Sequence, residues 1–246
     1  MKPKVLLIIP AYNEAGNIEK VVKDLKNNAN DVDYVIINDA SKDNTLEICQ
    51  KNNYNCINGL VNLGLWGAVQ TGLKYAMDKN YDIAIQFDGD GQHSAKYVKY
   101  LVDEIENGID IAIGSRFVTV KKPWSLRMLG SRLISACIFL TTGKKITDPT
   151  SGMRAYNKNI IKEYALDMNN PPEPDTLVYM LKKKKKIKEI QVEMSEREQG
   201  TSSFNVGHTI RYMCRMIISI FFIQPFRKRK SVSYTHLRAH ETAANL

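Results

Sequence analysis

Short apolar runs alternate with amphipathic stretches through the first half of the chain. Val5 to Ile9 reads as a buried strand, Ile18, Val21, Val22 and Leu25 fall at helical spacing, and Tyr34 to Ile37 reads as a second strand. The pattern repeats. A helix carries Leu65, Ala68, Val69, Gly72, Leu73 and Ala76 on one face, a strand covers Ile83 to Phe87, a helix presents Tyr97, Val98, Leu101, Val102 and Ile105, and a strand covers Ile109 to Ile113. Such alternation predicts an α/β fold with a mostly parallel sheet covered by helices on both faces. The second half is less regular. Lys121 to Gly143 reads as a loop and a helix, Asp148 to Tyr156 as turn-rich chain, Pro171, Pro172 and Pro174 mark another loop, and Ile187 to Val192 is a strand. No fixed-period repeat appears, which excludes solenoids and propellers. One domain is expected over residues 1–207, then an amphipathic basic helix over 208–230.

The composition is that of a folded protein: 246 residues, 43% hydrophobic and 25% charged, enough for one sizeable core. The net charge of +9 first suggests nucleic acid, but Lys182–Lys186 and Arg227–Lys230 account for all of it. With no recognition module, no nucleic-acid partner is expected. Cys49, Cys56, Cys137 and Cys214 form no C-x-x-C pair and no leader peptide precedes them, so a reducing cytoplasm is expected and a disulfide framework is not. Val232 to Thr242 lacks periodicity and resembles a translated sequencing adapter, so residues 231–246 are expected to be non-native.

In such folds ligands bind beyond the carboxyl ends of the strands. There the chain places Asp88-Gly89-Asp90-Gly91-Gln92, whose three oxygen-bearing side chains recur every second residue and share one face of an extended segment. Asp88, Asp90 and Gln92 in that arrangement suit Mg²⁺ or Mn²⁺, with water and substrate phosphates completing the shell. A plain Asp-Gly turn is the competing reading. An EF-hand is excluded, because His93 would occupy its obligatory glycine and Lys99 its terminal glutamate. The first strand ends in Pro10-Ala11-Tyr12-Asn13-Glu14 and the second in Asn38-Asp39-Ala40-Ser41. Ser41 and Asp43 read as helix N-caps. Tyr12 and Asp39 would face one crevice, the ring stacking on a base and the carboxylate accepting from its ring N–H.

Taken in order, these segments resemble the family 2 glycosyltransferases, in particular their dolichyl-phosphate-mannose synthase-like branch. The resemblance runs from Val5 to Phe204 and rests on P-A-Y-N-E at Pro10, N-D-A-S at Asn38, N-x-G-x-x-G-A at Asn62, D-x-D-x-Q at Asp88, G-S-R at Gly114, D-P-T-S-G-M-R at Asp148 and R-x-x-G-x-S at Arg197. It implies a GT-A fold in which Pro10, Ala11, Tyr12, Glu14 and Asp39 contact the nucleoside. Asp88, Asp90 and Gln92 would hold the metal on the diphosphate, Arg116 would lie near phosphates, Ser151, Gly152 and Arg154 would form the acceptor-side loop, and Arg197 would sit on a closing loop. Asn38 stands where the family usually has a first aspartate, and Ser203 where it often has a lysine.

The implied reaction is an inverting transfer from a nucleotide-diphosphate sugar, UDP- or GDP-linked, to a polyprenyl-phosphate or saccharide acceptor in cell-envelope polysaccharide or glycolipid synthesis. A hydroxyl acceptor would need a carboxylate base, for which Glu173, Asp175 and Asp148 are the candidates; an acceptor phosphate would need none. Thr209 to Phe226 is amphipathic, with Ile210, Met213, Met216, Ile217, Ile220 and Phe221 opposite Arg211, Arg215 and Ser219. Its greasy part is too short to span a bilayer, which leaves peripheral membrane contact through 209–230 or plain packing. Two other functions stand as alternatives: a catalytically silent nucleotide-sugar-binding subunit, and a sugar-nucleotide pyrophosphorylase, whose Gly-rich basic loop Ala11 to Gly16 does not supply.

Overall fold

A computed structural model describes residues 2–167, 173–195 and 206–227. Seven strands form one sheet: β1 (Val5–Ala11), β2 (Asp33–Asn38), β3 (Cys56–Asn58), β4 (Ile83–Gln86), β5 (Ile111–Ser115), β6 (Arg154–Asn157) and β7 (Ile187–Gln191), in spatial order β3-β2-β1-β4-β6-β5-β7. The first four in that order run parallel, β6 is antiparallel to both of its neighbours, and β7 is parallel to β5. Among the described residues eight α-helices accompany them: α1 (Ile18–Asn28), α2 (Thr45–Lys51), α3 (Gly64–Asp78), α4 (Val98–Glu106), α5 (Leu126–Thr142), α6 (Lys158–Leu166), α7 (Pro174–Lys182) and α8 (Val206–Ile218).

The period-2 geometry of the strands splits the core into two layers. Leu7, Ile9, Ile36, Ile85 and Phe87 pack against Val21, Val22 and Leu25 of α1 and Val98 and Leu101 of α4. Leu6, Ile8, Ala84, Ile113 and Tyr156 pack against α3, α6, α5 and α7. Because both faces are covered, the central strands are apolar throughout, which is why Val5 to Ile9 shows no alternation.

Two segments depart from the sequence expectation. The turn-rich stretch ends in β6, four residues wedged between β4 and β5, where Arg154 and Tyr156 are buried together with Ala155. A strand buried on both faces that carries an arginine has neither a polar nor an apolar periodicity to read. The C-terminal helix stops at Ile218 and continues as a π-helical turn, Ser219–Ile223, and a 3-10 turn, Gln224–Phe226. This rewinding moves Ser219 from the expected polar face into the interior, 6% exposed, where its hydroxyl donates to Asp175 Oδ2 at 2.5 Å. Met216 and Ile220 are buried against the core, so this segment packs on the domain. Residues 228–246, including the expected non-native tail, lie outside the described residues, as does Arg197.

Candidate active site

The carboxyl ends of β1, β2 and β4 converge on one edge, and the loops there are fastened by side chains. Asn13 takes a left-handed conformation (φ 57°) after β1. Its amide donates to Ser41 Oγ at 2.9 Å, the Glu14 amide to Thr45 Oγ1 at 2.9 Å, the Ala15 amide to Asp43 Oδ2 at 3.1 Å, and the Lys42 amide to Asn13 Oδ1 at 2.8 Å. Ser41 and Asp43 are therefore staples between two loops, and the cap position of α2 falls to Asn44, correcting the N-cap expectation. Burial pushes the Asp43 carboxyl up, but hydrogen bonds from the Thr45 hydroxyl and the Ala15 and Thr45 amides outweigh it and hold the group below its ordinary value.

This stapled frame leaves Tyr12 exposed at 42%, and the preceding Ala11 carbonyl accepts from the Asp39 amide at 2.9 Å. Asp39 is buried and accepts the Leu63 amide on Oδ1 at 2.7 Å, while Asn62 Nδ2 donates to the Asp39 carbonyl at 3.2 Å. The N-x-G segment thus sets the position of the Asp39 carboxylate. Glu14 is also buried, and its Oε2 accepts from Asn17 Nδ2 at 2.6 Å at the start of α1.

Asp88 follows β4 directly. His93 turns back beneath it: the Asp88 amide donates to His93 Nδ1 at 3.2 Å, and His93 Nε2 lies 3.7 Å from Asp88 Oδ2. The ring is buried edge-on to Phe87 with centroids 5.6 Å apart. Sequence reasoning gave His93 no part, although its place directly after Gln92 was a usable signal. Asp88 Oδ1 is buried and has no hydrogen-bond partner. Asp90 Oδ1 accepts the Gln92 amide at 3.1 Å, and Gln92 Nε2 donates to the Ser195 carbonyl at 3.4 Å.

The antiparallel register that pairs Gln86 with Arg154 brings Gly152 opposite Asp88. A Cβ at 152 would fall inside the Asp88 carboxylate, and one at Gly89 would lie 2.8 Å from the Pro10 carbonyl oxygen. The loop before β6 therefore touches the Asp-Gly-Asp segment where Gly152 meets the Asp88 carboxylate, while Gly89 lies against the end of β1. Ser151 Oγ donates to the Gly114 carbonyl at 2.5 Å, and Arg154 is buried, donating to the Ser151 carbonyl at 2.9 Å and the Pro149 carbonyl at 2.5 Å. Beside it, burial pushes the Tyr156 hydroxyl up to about 12.

Arg116 forms a bidentate pair with Asp148, Nε to Oδ2 at 2.7 Å and one terminal nitrogen to Oδ1 at 3.0 Å. Asp148 is wholly buried and its amide donates to Glu189 Oε1 at 2.7 Å. Asp148 thereby orients a guanidinium that remains partly exposed. Glu173 meets Arg215 at 3.0 Å on both oxygens, and burial, only partly offset by that arginine, raises its carboxyl above the ordinary value. Asp175 Oδ2 accepts from Ser219 and from Gln224 Nε2 at 2.9 Å. Each of the three carboxylates expected as bases has a protein partner, two of them in the C-terminal segment, and Asp175 Oδ1 is buried with none.

A mostly parallel seven-stranded sheet flanked by helices, with an acidic segment after β4, is the architecture of a GT-A type enzyme. The chain belongs to glycosyl transferase family 2, whose family model matches residues 6–165; it is a glycosyltransferase of the dolichyl-phosphate-mannose synthase-like branch. It is 34% identical over 179 residues to UDP-N-acetylglucosamine--dolichyl-phosphate N-acetylglucosaminyltransferase of Methanococcus voltae, covering 64% of this chain and 71% of that one. It is 27% identical to polyprenol monophosphomannose synthase of Mycolicibacterium smegmatis, covering 85% and 83%. Among solved structures, glucosyl-3-phosphoglycerate synthase from Mycobacterium tuberculosis with Mn²⁺, UDP-glucose and phosphoglyceric acid superposes with a TM-score of 0.67 at 15% identity, covering 92% of this chain and 81% of that one. At that identity the likeness is one of fold.

Proposed function

We propose that this glycosyltransferase moves a sugar from a UDP- or GDP-sugar to a polyprenyl phosphate, with inversion in a single displacement. The observation that carries the donor side is Asp88 Oδ1, a buried carboxylate oxygen with no partner at the carboxyl edge of the sheet. Leaving such an oxygen unsatisfied is costly, so a ligand there is expected. Among the described residues no three His, Cys, Asp or Glu side chains gather into a complete metal shell. Asp88, Asp90 and Gln92 fit a partial one, for Mn²⁺ or Mg²⁺, whose remaining positions go to the donor phosphates. When bound, the ion would neutralise charge developing on the leaving diphosphate. Mn²⁺ in the complexes of the structural neighbour supports a divalent ion.

The chain's own residues do the rest. Tyr12 offers a stacking face, Asp39 a carboxylate for a base N–H, and the stapled loop including Pro10, Ala11 and Glu14 keeps both in place. Arg116, aimed by Asp148, holds phosphate. The acceptor is inferred from the carboxylates: an arginine bonds both oxygens of Asp148 and of Glu173, and Asp175 holds Ser219 and Gln224 on one oxygen, so an acceptor that is already ionised and needs no base is the better match. The names of the relatives, which act on dolichyl or polyprenyl phosphates, support this choice.

The exposed apolar side chains support contact with a lipid surface. Leu129, Leu133 and Leu140 line the outer side of α5, which packs against α8 and the π-helical turn, where Phe222, Ile223 and Phe226 are also exposed. No helix among the described residues is long and apolar enough to cross a membrane. An interfacial mode with basic residues from Arg227 onward fits that combination. The acceptor assignment is tested by incubating the enzyme with Mn²⁺ and UDP- and GDP-sugars against undecaprenyl phosphate and undecaprenol. Product is expected from the phosphate only; product from the alcohol would refute it.

A further inference from the structure

Two cysteines that the proposed transfer does not use come together between α2 and β3. Cys49 is wholly buried on α2. A short turn, fastened by the Tyr54 amide donating to the Cys49 carbonyl at 2.9 Å, leads from it to Cys56, the half-buried first residue of β3. The side chains of that strand alternate. Ile57 packs on the layer of α3 and α6, so Cys56 faces the opposite layer, which contains Cys49. There α2 packs on β3, and the two thiols are hydrogen-bonded to each other.

The pair is chemically uneven. The hydrogen bond from Cys49 outweighs burial and holds the Cys56 thiol below its ordinary value, whereas the same bond, with burial, pushes the Cys49 thiol up. Cys56 is therefore the better nucleophile and the better reached by solvent. Cys137 and Cys214 stand on other elements, α5 and α8.

Both elements that carry the pair also hold the Asp39 loop. At the start of α2, the Thr45 hydroxyl accepts the Glu14 amide. At the end of β3, Asn58 Oδ1 accepts from Asn38 Nδ2 at 2.7 Å, and the Gly59 amide donates to the Asn38 carbonyl at 2.8 Å, one residue before Asp39.

We propose that Cys56 and Cys49 form a site of reaction with hydroperoxides, in which Cys56 is attacked first and Cys49 closes a reversible disulfide. The Cys56 sulfur bonds to one peroxide oxygen, the O–O bond breaks, and hydroxide leaves to become water with the Cys56 proton. Cys56 is thereby oxidised to a sulfenic acid and the peroxide reduced. The Cys49 sulfur then bonds to the Cys56 sulfur, the S–O bond breaks, and a second water leaves with the Cys49 proton. A covalent bridge is shorter than a thiol contact, so it draws α2 towards β3 and shifts the Asp39 loop joined to both. Resting on the donor reading above, this shift weakens the hold on the nucleotide.

The test is to treat the full chain with stoichiometric hydrogen peroxide and map it, unreduced, by mass spectrometry. A peptide pair joined through Cys49 and Cys56 is expected, and dithiothreitol should abolish it. Cys49→Ala should stop at a sulfenic acid on Cys56, trapped by dimedone, and Cys56→Ser should give neither product. Cys49 and Cys56 both remaining reduced while the exposed Cys214 is oxidised would overturn the site. Calorimetric affinity for UDP or GDP with Mn²⁺ should fall several-fold in the bridged protein and recover on reduction; unchanged affinity would overturn the coupling to Asp39. The mapping needs neither nucleotide nor turnover, so it judges the cysteine pair even where the donor reading fails.

Discussion

Gly152 has no room for a methyl group, because the antiparallel register sets it against the Asp88 carboxylate. The need is for space, since Gly152 is not among the glycines with positive φ. Gly152→Ala should fold but displace Asp88, and a shift of about 1 Å at such a site can cost about 100-fold in rate. Transfer assays beside a circular dichroism melt check this; near-normal activity in a folded variant would separate Asp88 from the chemistry. At this scale much of the edge was legible. Tyr12, Asp39, Asp88 and Asp90 stood out as polar or aromatic residues at strand ends and Arg116 through the resemblance, and the structure places all five just after the carboxyl ends of β1, β2, β4 and β5. The stapling roles of Ser41 and Asp43 were not legible, because they depend on contacts between segments 28 residues apart, whereas His93, five residues from Asp88, was a local signal left unused.

Among the elements, β1, β2, β4 and β5 followed from their apolar runs, whereas the three-residue β3, β6 and the π-helical turn escaped. The last two hide polar residues inside: Arg154 and Tyr156 in the strand, Ser219 in the π-helical turn with Gln224 directly after it. Periodicity reports burial only where burial and polarity agree. The Asp175–Ser219–Gln224 cluster makes the C-terminal segment part of the domain, because it ties α7 to the last described turns. Ser219→Ala removes a buried donor from a carboxylate and should cost about 1–3 kcal/mol of stability. Chemical denaturation would measure this. A cost under about 0.5 kcal/mol, the range of ordinary surface changes, would mean that the cluster does not anchor the segment.

For the whole molecule, the sheet edge gathers the residues proposed to hold the donor, while the outer side of α5 and the C-terminal turns carry exposed apolar residues. This division suits an enzyme that meets one substrate in water and another at a lipid surface. Vesicles containing anionic lipid should bind the full chain in a salt-sensitive manner, and Leu140→Ser combined with Phe226→Ser should weaken the sedimented fraction several-fold. Equal sedimentation of both proteins would assign those side chains elsewhere. The central claim concerns the donor edge, where Asp88 and Asp90 are read as the grip on a metal-bound diphosphate. The direct test is calorimetric titration of Mn²⁺ with UDP and with GDP into wild type and Asp88→Asn, followed by transfer assays on the same samples. The account predicts that at least one nucleotide binds wild type in a Mn²⁺-dependent manner, that this dependence is lost in the variant, and that transfer falls about 100-fold or more. Metal-dependent binding and transfer that survive unchanged in Asp88→Asn would contradict it.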